Sequence, residues 1–480
     1  MTHETEPLLA RVSHLSDLVD LSDPEHPLNP QNLPAWRKWA CAAMLGAMTF
    51  TTTLSSSIFH AAVPASAKEF GVIEETMELA TTLYILGFAL GPMLIGPASE
   101  LYGRKIPFFV AYVAFLLTQI PVGLAHDVST ILIFRFLGGV ASSGPPAIVG
   151  GCFADFLPPV ERGVAMAIFL ATTVMGPSVG AIVGAIVMGS SLGWRWTAWI
   201  SLIVGVIFGV VGYLVMPETY LPVLEQRHAE RLRRETRQWS LHSKLDEKDA
   251  SLHTFVTRYL TRPAVMMVKE PILLCITLYM SFVFGMVYLM FVAYPVSFIE
   301  NRGYDMIEGS LPLLSVCIGN LLAAIAISYY TLTVLSSKAK EKGHLDPEDR
   351  LPPMIVGSVL FAAGLFWFAF TSSPDMNPWP QILAGIPIGM GMQAILLQSI
   401  TYLVDIYQVN ANSAMSGTVV VRSIIGSFFP LLALTMYHNL GVFWATNILA
   451  LCSTALIPIP ILLYLFGEKI RSWSAYAHQV

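Results

Sequence analysis

Arg135 and Arg422 each stand inside an apolar run, Ile131-Leu132-Ile133-Phe134-Arg135-Phe136-Leu137 and Val419-Val420-Val421-Arg422-Ser423-Ile424-Ile425. A guanidinium surrounded by hydrocarbon is costly and usually turns toward an aqueous cavity or a partner. It does not release its proton. Its chemistry is therefore electrostatic: it lowers the pKa of a neighbour, holds a water, or grips an anion through paired hydrogen bonds. The alternative for each is a structural arginine that fixes helix packing through backbone carbonyls. A second cluster, Gly96-Pro97-Ala98-Ser99-Glu100-Leu101-Tyr102-Gly103-Arg104-Lys105, is a compact charged turn between two further apolar runs.

The elements that position these groups follow from composition. Of the 480 residues, 55% are apolar and 12% charged, and mean hydropathy is +0.63. Soluble domains carry about 25% charged residues. Windows of about 20 apolar residues, enough to cross a ~30 Å hydrocarbon core, recur along almost the whole chain. They predict an all-α membrane protein with twelve transmembrane helices, near residues 38–62, 78–97, 105–125, 129–153, 162–188, 194–216, 272–299, 310–336, 353–371, 379–403, 413–437 and 441–466. Residues 1–37, broken by Pro24, Pro27, Pro30 and Pro34, read as a disordered cytoplasmic tail and not a cleavable signal peptide. All five cysteines fall inside predicted spans without metal-ligand spacing, as small buried hydrophobes do.

The long polar interruption, 217–270, divides the spans into two six-helix halves, 38–216 and 271–466, followed by a cytoplasmic tail, 467–480. Of the 27 Lys and Arg residues, 22 fall on the side of the chain termini and three, Lys68, Arg195 and Arg302, on the other. That asymmetry places both termini in the cytoplasm. Within the linker, Leu221, Leu224, His228 and Leu232 recur at helical spacing with Arg227, Arg231 and Arg234 on another face, which predicts an amphipathic basic helix at the membrane surface or a solvated one. Asp155 closes span four before Gly163-Val164-Ala165-Met166, and Asp405 closes span ten before Ser413-Ala414-Met415-Ser416-Gly417. The echo suggests duplication of the halves.

Glu100 ends span two on the side where span eleven begins with Asn412 and Ser413, both natural N-caps. A carboxylate there is favoured by about 0.3–1 kcal/mol. Arg104 is placed to pair with Asp155. Together with Gly96 and Gly103 these residues form an expected latch that holds the cytoplasmic ends of the halves together. Span five carries Gly176-Pro177-Ser178-Val179-Gly180-Ala181-Ile182-Val183-Gly184, whose small residues four apart allow close helix approach.

The segment 96–105 resembles the loop-2-3 signature of the major facilitator superfamily, with Glu100 in place of the usual Asp and Leu101 in place of a basic residue. Arg135 to Gly139 with Ser143 to Pro145, Gly150 to Asp155, Pro217 to Leu224, Pro347 to Pro353, and Arg422-Ser423 leading to Phe429-Pro430-Leu431 resemble the fungal twelve-span drug:proton antiporters. That group includes polyamine, multidrug and metabolite exporters. The resemblance covers about residues 20 to 470 and implies the major facilitator fold and proton coupling involving Arg135. It also implies a cavity lined by spans one, four, seven and ten, where Thr53, Ser56, Arg135, Tyr288 and Gln393 fall at intermediate depth. Gly176, Pro177, Gly180 and Gly184 resemble the exporter signature, although Ala181 and Ala185 replace its second proline and a glycine.

Glu100, Asp155, Glu300, Glu308 and Asp405 all lie at span ends, so a proton carrier and a cation anchor at mid-membrane both lack an obvious occupant. His60, near the outer end of span one, is a candidate titrating group or a neutral interfacial residue. No Walker loop, zinc-ligand pair or nucleophile-base signature is present, so neither enzyme activity nor a cofactor or metal is expected. The expected protein is a monomeric carrier in the lipid bilayer of the plasma membrane, or alternatively the vacuole, with no nucleic-acid partner. Its partners are protons and a small-molecule substrate, an organic acid or other secondary metabolite, with polyamines or cationic drugs as the alternative. An uncoupled facilitator and a transporter-like receptor are also compatible with these residues.

Overall fold

The computed structural model describes residues 28–243, 261–343 and 345–472, with residues 21, 26, 245, 246, 474 and 476. Most of the expected tail 1–37, with Arg11, Pro24 and Pro27, lies outside them, as do parts of the linker and of 467–480. Lipid offers the backbone no hydrogen bonds, so the apolar runs close into helices. These are α1 (Ala35–Ser57), α2 (Glu74–Leu101), α3 (Lys105–Gly123), α4 (Val128–Ser142, continuing as Gly144–Phe156), α5 (Pro159–Gly189), α6 (Trp196–Val215), α7 (Pro271–Pro295), α8 (Leu313–Tyr330), α9 (Leu351–Phe370), α10 (Gly385–Tyr407), α11 (Ala411–Leu456) and α12 (Pro458–Arg471). Prolines open α5, α7, α9 and α12, where a missing N–H removes no helical bond.

Among the described residues, ten helical stretches are long and apolar enough to cross a membrane. Two features separate this count from the twelve expected spans. The stretch Ala411–Arg471 counts as one, yet Gly441, at φ 73° and ψ 163°, breaks the helix inside it. The helix α1 is not among the ten because it carries Thr49, Thr51–Thr53 and Ser55–Ser57. Thr49, Thr51 and Thr53 satisfy their hydroxyls on carbonyls of their own helix. The first expected span also ends early, at Ser57; a turn, His60–Ala62, and a short helix, Val63–Phe70, follow. Pro64 has no N–H to continue the first helix.

Helix packing repeats with a shift of six. In the first half α1 packs on α5, α2 on α4, and α3 on α4; in the second α7 packs on α11, α8 on α10, and α9 on α10. The halves meet along α2 with α11 and α5 with α8, two seams related by the same shift. One apolar cluster crosses them, joining Ile85, Leu170, Val174 and Ile182 to Met280, Met286 and Leu289 of α7.

One end of the bundle holds both described chain ends and the linker. The Leu21 N–H donates to buried Glu225, Ser474 donates to buried Glu270, and Arg471 pairs with Glu348 at 3.1 Å. The expected linker helix forms over Leu221–Thr236, with Arg227, Arg231 and Arg234 exposed; its deepest residues are Val223, Glu225 and Ala229, and Leu221, Leu224, His228 and Leu232 are half-buried beside them. At the far end Arg195 pairs with Glu69 at 2.8 Å and the Trp194 indole donates to the same carboxylate at 2.6 Å. These bonds hold the Glu69 carboxyl below its usual range.

Candidate functional site

Arg135 is 2% exposed and every nitrogen of its guanidinium is used. It donates to the carbonyls of Ser55 at 2.6 Å, Ser56 at 2.8 Å and Ala80 at 3.3 Å. The Ser55 and Ser56 carbonyls belong to the last turn of α1, where four carbonyls have no intrahelical partner and the helix dipole is negative. The rings of Tyr84 and Phe59 lie 4.5 and 5.3 Å from the guanidinium carbon. Arg135 thus ties the end of α1 to α2, the geometry of a structural cap.

Arg422 differs. Among the described residues it makes no hydrogen bond or ion pair, its Nε is buried without a partner, and its guanidinium lies 4.7 Å from the centre of the Phe284 ring. The Phe284 and Tyr288 rings are 5.4 Å apart on successive turns of α7. The Tyr288 hydroxyl is 3.2 Å from Ser56 Oγ. Since Ser56 donates its own hydrogen to the Thr53 carbonyl at 2.6 Å, Tyr288 is the donor across the halves. Thr53 points its hydroxyl back to Thr49 and Phe50 of its own helix. Gln393 spans the other seam, its Nε2 donating to the Ala167 carbonyl at 3.0 Å, while its Oε1 is buried and unsatisfied. The structure therefore groups Arg422, Tyr288 and Ser56 about one seam, sets Gln393 on the other, and returns Arg135 and Thr53 to backbone carbonyls.

At the linker end, Glu100 Oε1 accepts from Asn412 Nδ2 at 2.6 Å, across the halves. Arg104 donates to Asp155 at 3.1 Å and to Ser99 at 3.0 Å, with the Tyr220 ring 4.6 Å away. This pair lies wholly inside the first half, so of the expected latch contacts Glu100–Asn412 crosses and Arg104–Asp155 does not. Arg350 pairs with Asp405 at the matching position of the second half. Gly103, at φ 89°, is required twice, by its left-handed backbone and because a Cβ would sit 2.5 Å from Glu218 Oε2. Glu218 accepts the backbone N–H groups of Arg104 at 2.8 Å and Lys105 at 3.2 Å, placing its carboxylate on the positive end of α3. A Cβ at Gly96 would meet nothing within 4 Å.

The helix α5 lies directly on α1. Side chains at Gly180 and Gly184 would place a Cβ 2.3 Å from the Leu54 carbonyl and 2.4 Å from that of Ile58, and one at Gly176 would strike the Thr53 side chain. Ser57 donates to the Pro177 carbonyl at 2.5 Å between the same two helices.

Two polar residues escaped the sequence reading, and a third, Glu218, entered it only within the resemblance over Pro217 to Leu224. Glu78, 7% exposed in the second turn of α2, lies against His60. Asn320 is fully buried in α8 with neither amide atom satisfied. Glu218 closes the turn at Arg104. An asparagine inside the run Cys317-Ile318-Gly319-Asn320-Leu321-Leu322 was a legible signal; the pairing of Glu78 with His60, 18 residues away, was not.

The family model described as Major Facilitator Superfamily matches residues 45–430. The chain belongs to the major facilitator superfamily. It is a multi-pass membrane transporter and not an enzyme. It is 59% identical to the MFS-type transporter tazK of Aspergillus terreus over 72% of this chain and 98% of that protein. It is 46% identical to the citrinin biosynthesis cluster MFS transporter mrr1 of Monascus ruber over 93% of this chain and 90% of that one. The cercosporin MFS transporter of Cercospora nicotianae is 44% identical, over 93% and 87%.

Proposed function

We propose that this superfamily member is a proton-driven exporter of a small, oxygen-rich organic metabolite. It works by alternating access in the plasma membrane, with twelve crossings and both termini cytoplasmic. The relatives named for citrinin and cercosporin support a metabolite as cargo, and the 22 basic residues on the linker side support the orientation. The packing repeat supports alternating access, because each seam can open while the other contacts within a half persist. The observation that carries the substrate class is Arg422. A half-buried guanidinium whose Nε is fully enclosed, and which has no hydrogen-bond or ion-pair partner among the described residues, leaves a desolvation cost that an anionic or carbonyl-bearing ligand can offset. The Tyr288 hydroxyl, next to the Phe284 ring that faces Arg422, supplies a further polar contact. Among the described residues no carboxylate pairs with Arg422, so a polycation would meet repulsion there, amplified in a low-dielectric site.

The test is transport in proteoliposomes under an imposed pH gradient, with citrinin, cercosporin and spermidine as probes. Arg422→Gln is expected to weaken metabolite transport at least tenfold, the equivalent of about 1.4 kcal/mol from a lost charge-assisted bond. Uptake of spermidine in preference to both metabolites would overturn the substrate class. Persistence of uphill transport after an ionophore collapses the gradient would overturn proton coupling.

Glu100 is the proposed latch between the halves. Glu100→Ala is expected to lower turnover several-fold at unchanged surface expression, whereas Arg104→Ala lowers expression as well because it unties three elements of one half. Turnover per molecule equal to wild type in Glu100→Ala would remove the latch.

A further inference from the structure

His60 and Glu78 form a titratable pair at the far end, outside the substrate site. The His60 Nδ1 lies 3.1 and 3.0 Å from the two carboxylate oxygens of Glu78, and the carboxylate is almost wholly buried. Both residues sit on segments held by Arg135. Its guanidinium binds the Ser55 and Ser56 carbonyls, a few residues before His60, and the Ala80 carbonyl, two residues beyond Glu78. The His60 ring also lies within reach of the Phe291 backbone, in the other half.

The surroundings contain few competing charges. The helix α2 contributes Glu78 and Tyr84, α4 contributes Arg135, and α7 contributes Tyr288 through its contact with Ser56. The helix α5 faces the turn with Gly184 beside Ala61 and brings no titratable side chain along its outer half. On the neighbouring short helix, Glu69 is already engaged by Arg195.

We propose that His60 and Glu78 are the proton-exchanging site of this carrier. The inference rests on the proton-coupled reading above and names the carrier that the mid-membrane carboxylates do not supply. In the unloaded pair, neutral imidazole donates its Nδ1–H to the carboxylate, giving a net charge of −1 beside Arg135. Uptake of one proton from the medium at Nε2 gives an imidazolium–carboxylate pair of net charge zero; no other bond forms or breaks. Loading therefore removes the negative charge that faces Arg135 at the point where α1, α2 and α7 meet. From there the contacts Ser56–Tyr288, Tyr288–Phe284 and Phe284–Arg422 lead to the substrate anchor. Arg135 is a positioning residue in this scheme.

Two measurements on the full-length protein test the assignment. In proteoliposomes with citrinin as probe, His60→Gln and Glu78→Gln are each expected to lose at least tenfold of gradient-driven accumulation. Counterflow at equal pH, which moves no net proton, should stay within twofold of wild type. Accumulation within twofold of wild type in either variant overturns the proposal, and so does equal loss of counterflow, the mark of a merely structural pair. The second measurement needs no substrate. A difference titration of purified wild type against His60→Gln, over the ordinary histidine range of about pH 5.5 to 8, should show one proton. That event should move to lower pH in Glu78→Gln, since the carboxylate that favours imidazolium is gone. A wild type that moves citrinin only downhill refutes proton coupling, and one that does not move it at all leaves the decision to the titration. A titration in which His60→Gln removes no proton, or Glu78→Gln moves nothing, refutes the pair.

Discussion

Arg135→Leu is expected to reduce the yield of folded protein at least tenfold and to lower the Tm of what remains. The substitution strips the Ser55 and Ser56 carbonyls, at the end of α1, of their donor in a place that water and lipid do not reach, and removes a second donor from the Ala80 carbonyl inside α2. Each buried acceptor left without a partner costs about 1–3 kcal/mol. The contacts with Tyr84 and Phe59 are lost as well, worth about 0.5–2 kcal/mol for a desolvated cation over a ring. Together these are comparable to the lower part of the whole stability of an ordinary domain, about 5–15 kcal/mol. Arg135→Lys keeps the charge but replaces a planar fork with a point donor, so it should fall between the two. Size-exclusion profiles and thermal melts of solubilised membranes check the series. A Leu variant with a wild-type melt would show that the three carbonyl bonds carry little.

Gly180→Val is expected to abolish transport and to destabilise the first half. Its Cβ alone would sit 2.3 Å from the Leu54 carbonyl and 2.4 Å from Ser57 Oγ, and the methyl groups would reach further into α1. Backbone cannot step aside as a flexible side chain can. The helices α1 and α5 must separate, breaking the Ser57–Pro177 bond and the close contacts at Gly176 and Gly184. Overpacking of this kind costs about 1–3 kcal/mol or more. The control is Gly96→Ala, which meets nothing within 4 Å in the last two turns of α2 and should stabilise it by up to about 1 kcal/mol. Equal melting temperatures for Gly180→Val and Gly96→Ala would mean that α1 and α5 do not depend on close contact.

Hydropathy and spacing by themselves determined a helical membrane protein, a helix over Leu221–Thr236, and the residues of the turn at Gly103. Those properties are local. A helix in lipid needs about 20 apolar residues in succession, and a tight turn needs glycine at one position. The sequence could not separate Arg135 from Arg422, since both are arginines in apolar runs of similar character. Tertiary structure decided between them by bringing two orphaned carbonyls of α1 to Arg135 and an aromatic face to Arg422. Likewise Glu78 reads as one more acid at a helix start until the turn that follows Ser57 folds His60 onto it. Partners far apart in sequence are set by packing, because each helix can rotate about its axis without altering its own hydrogen bonds. Which face of each helix meets a neighbour is fixed when the small residues of α5 seat against α1 and the halves close along α2 with α11 and α5 with α8.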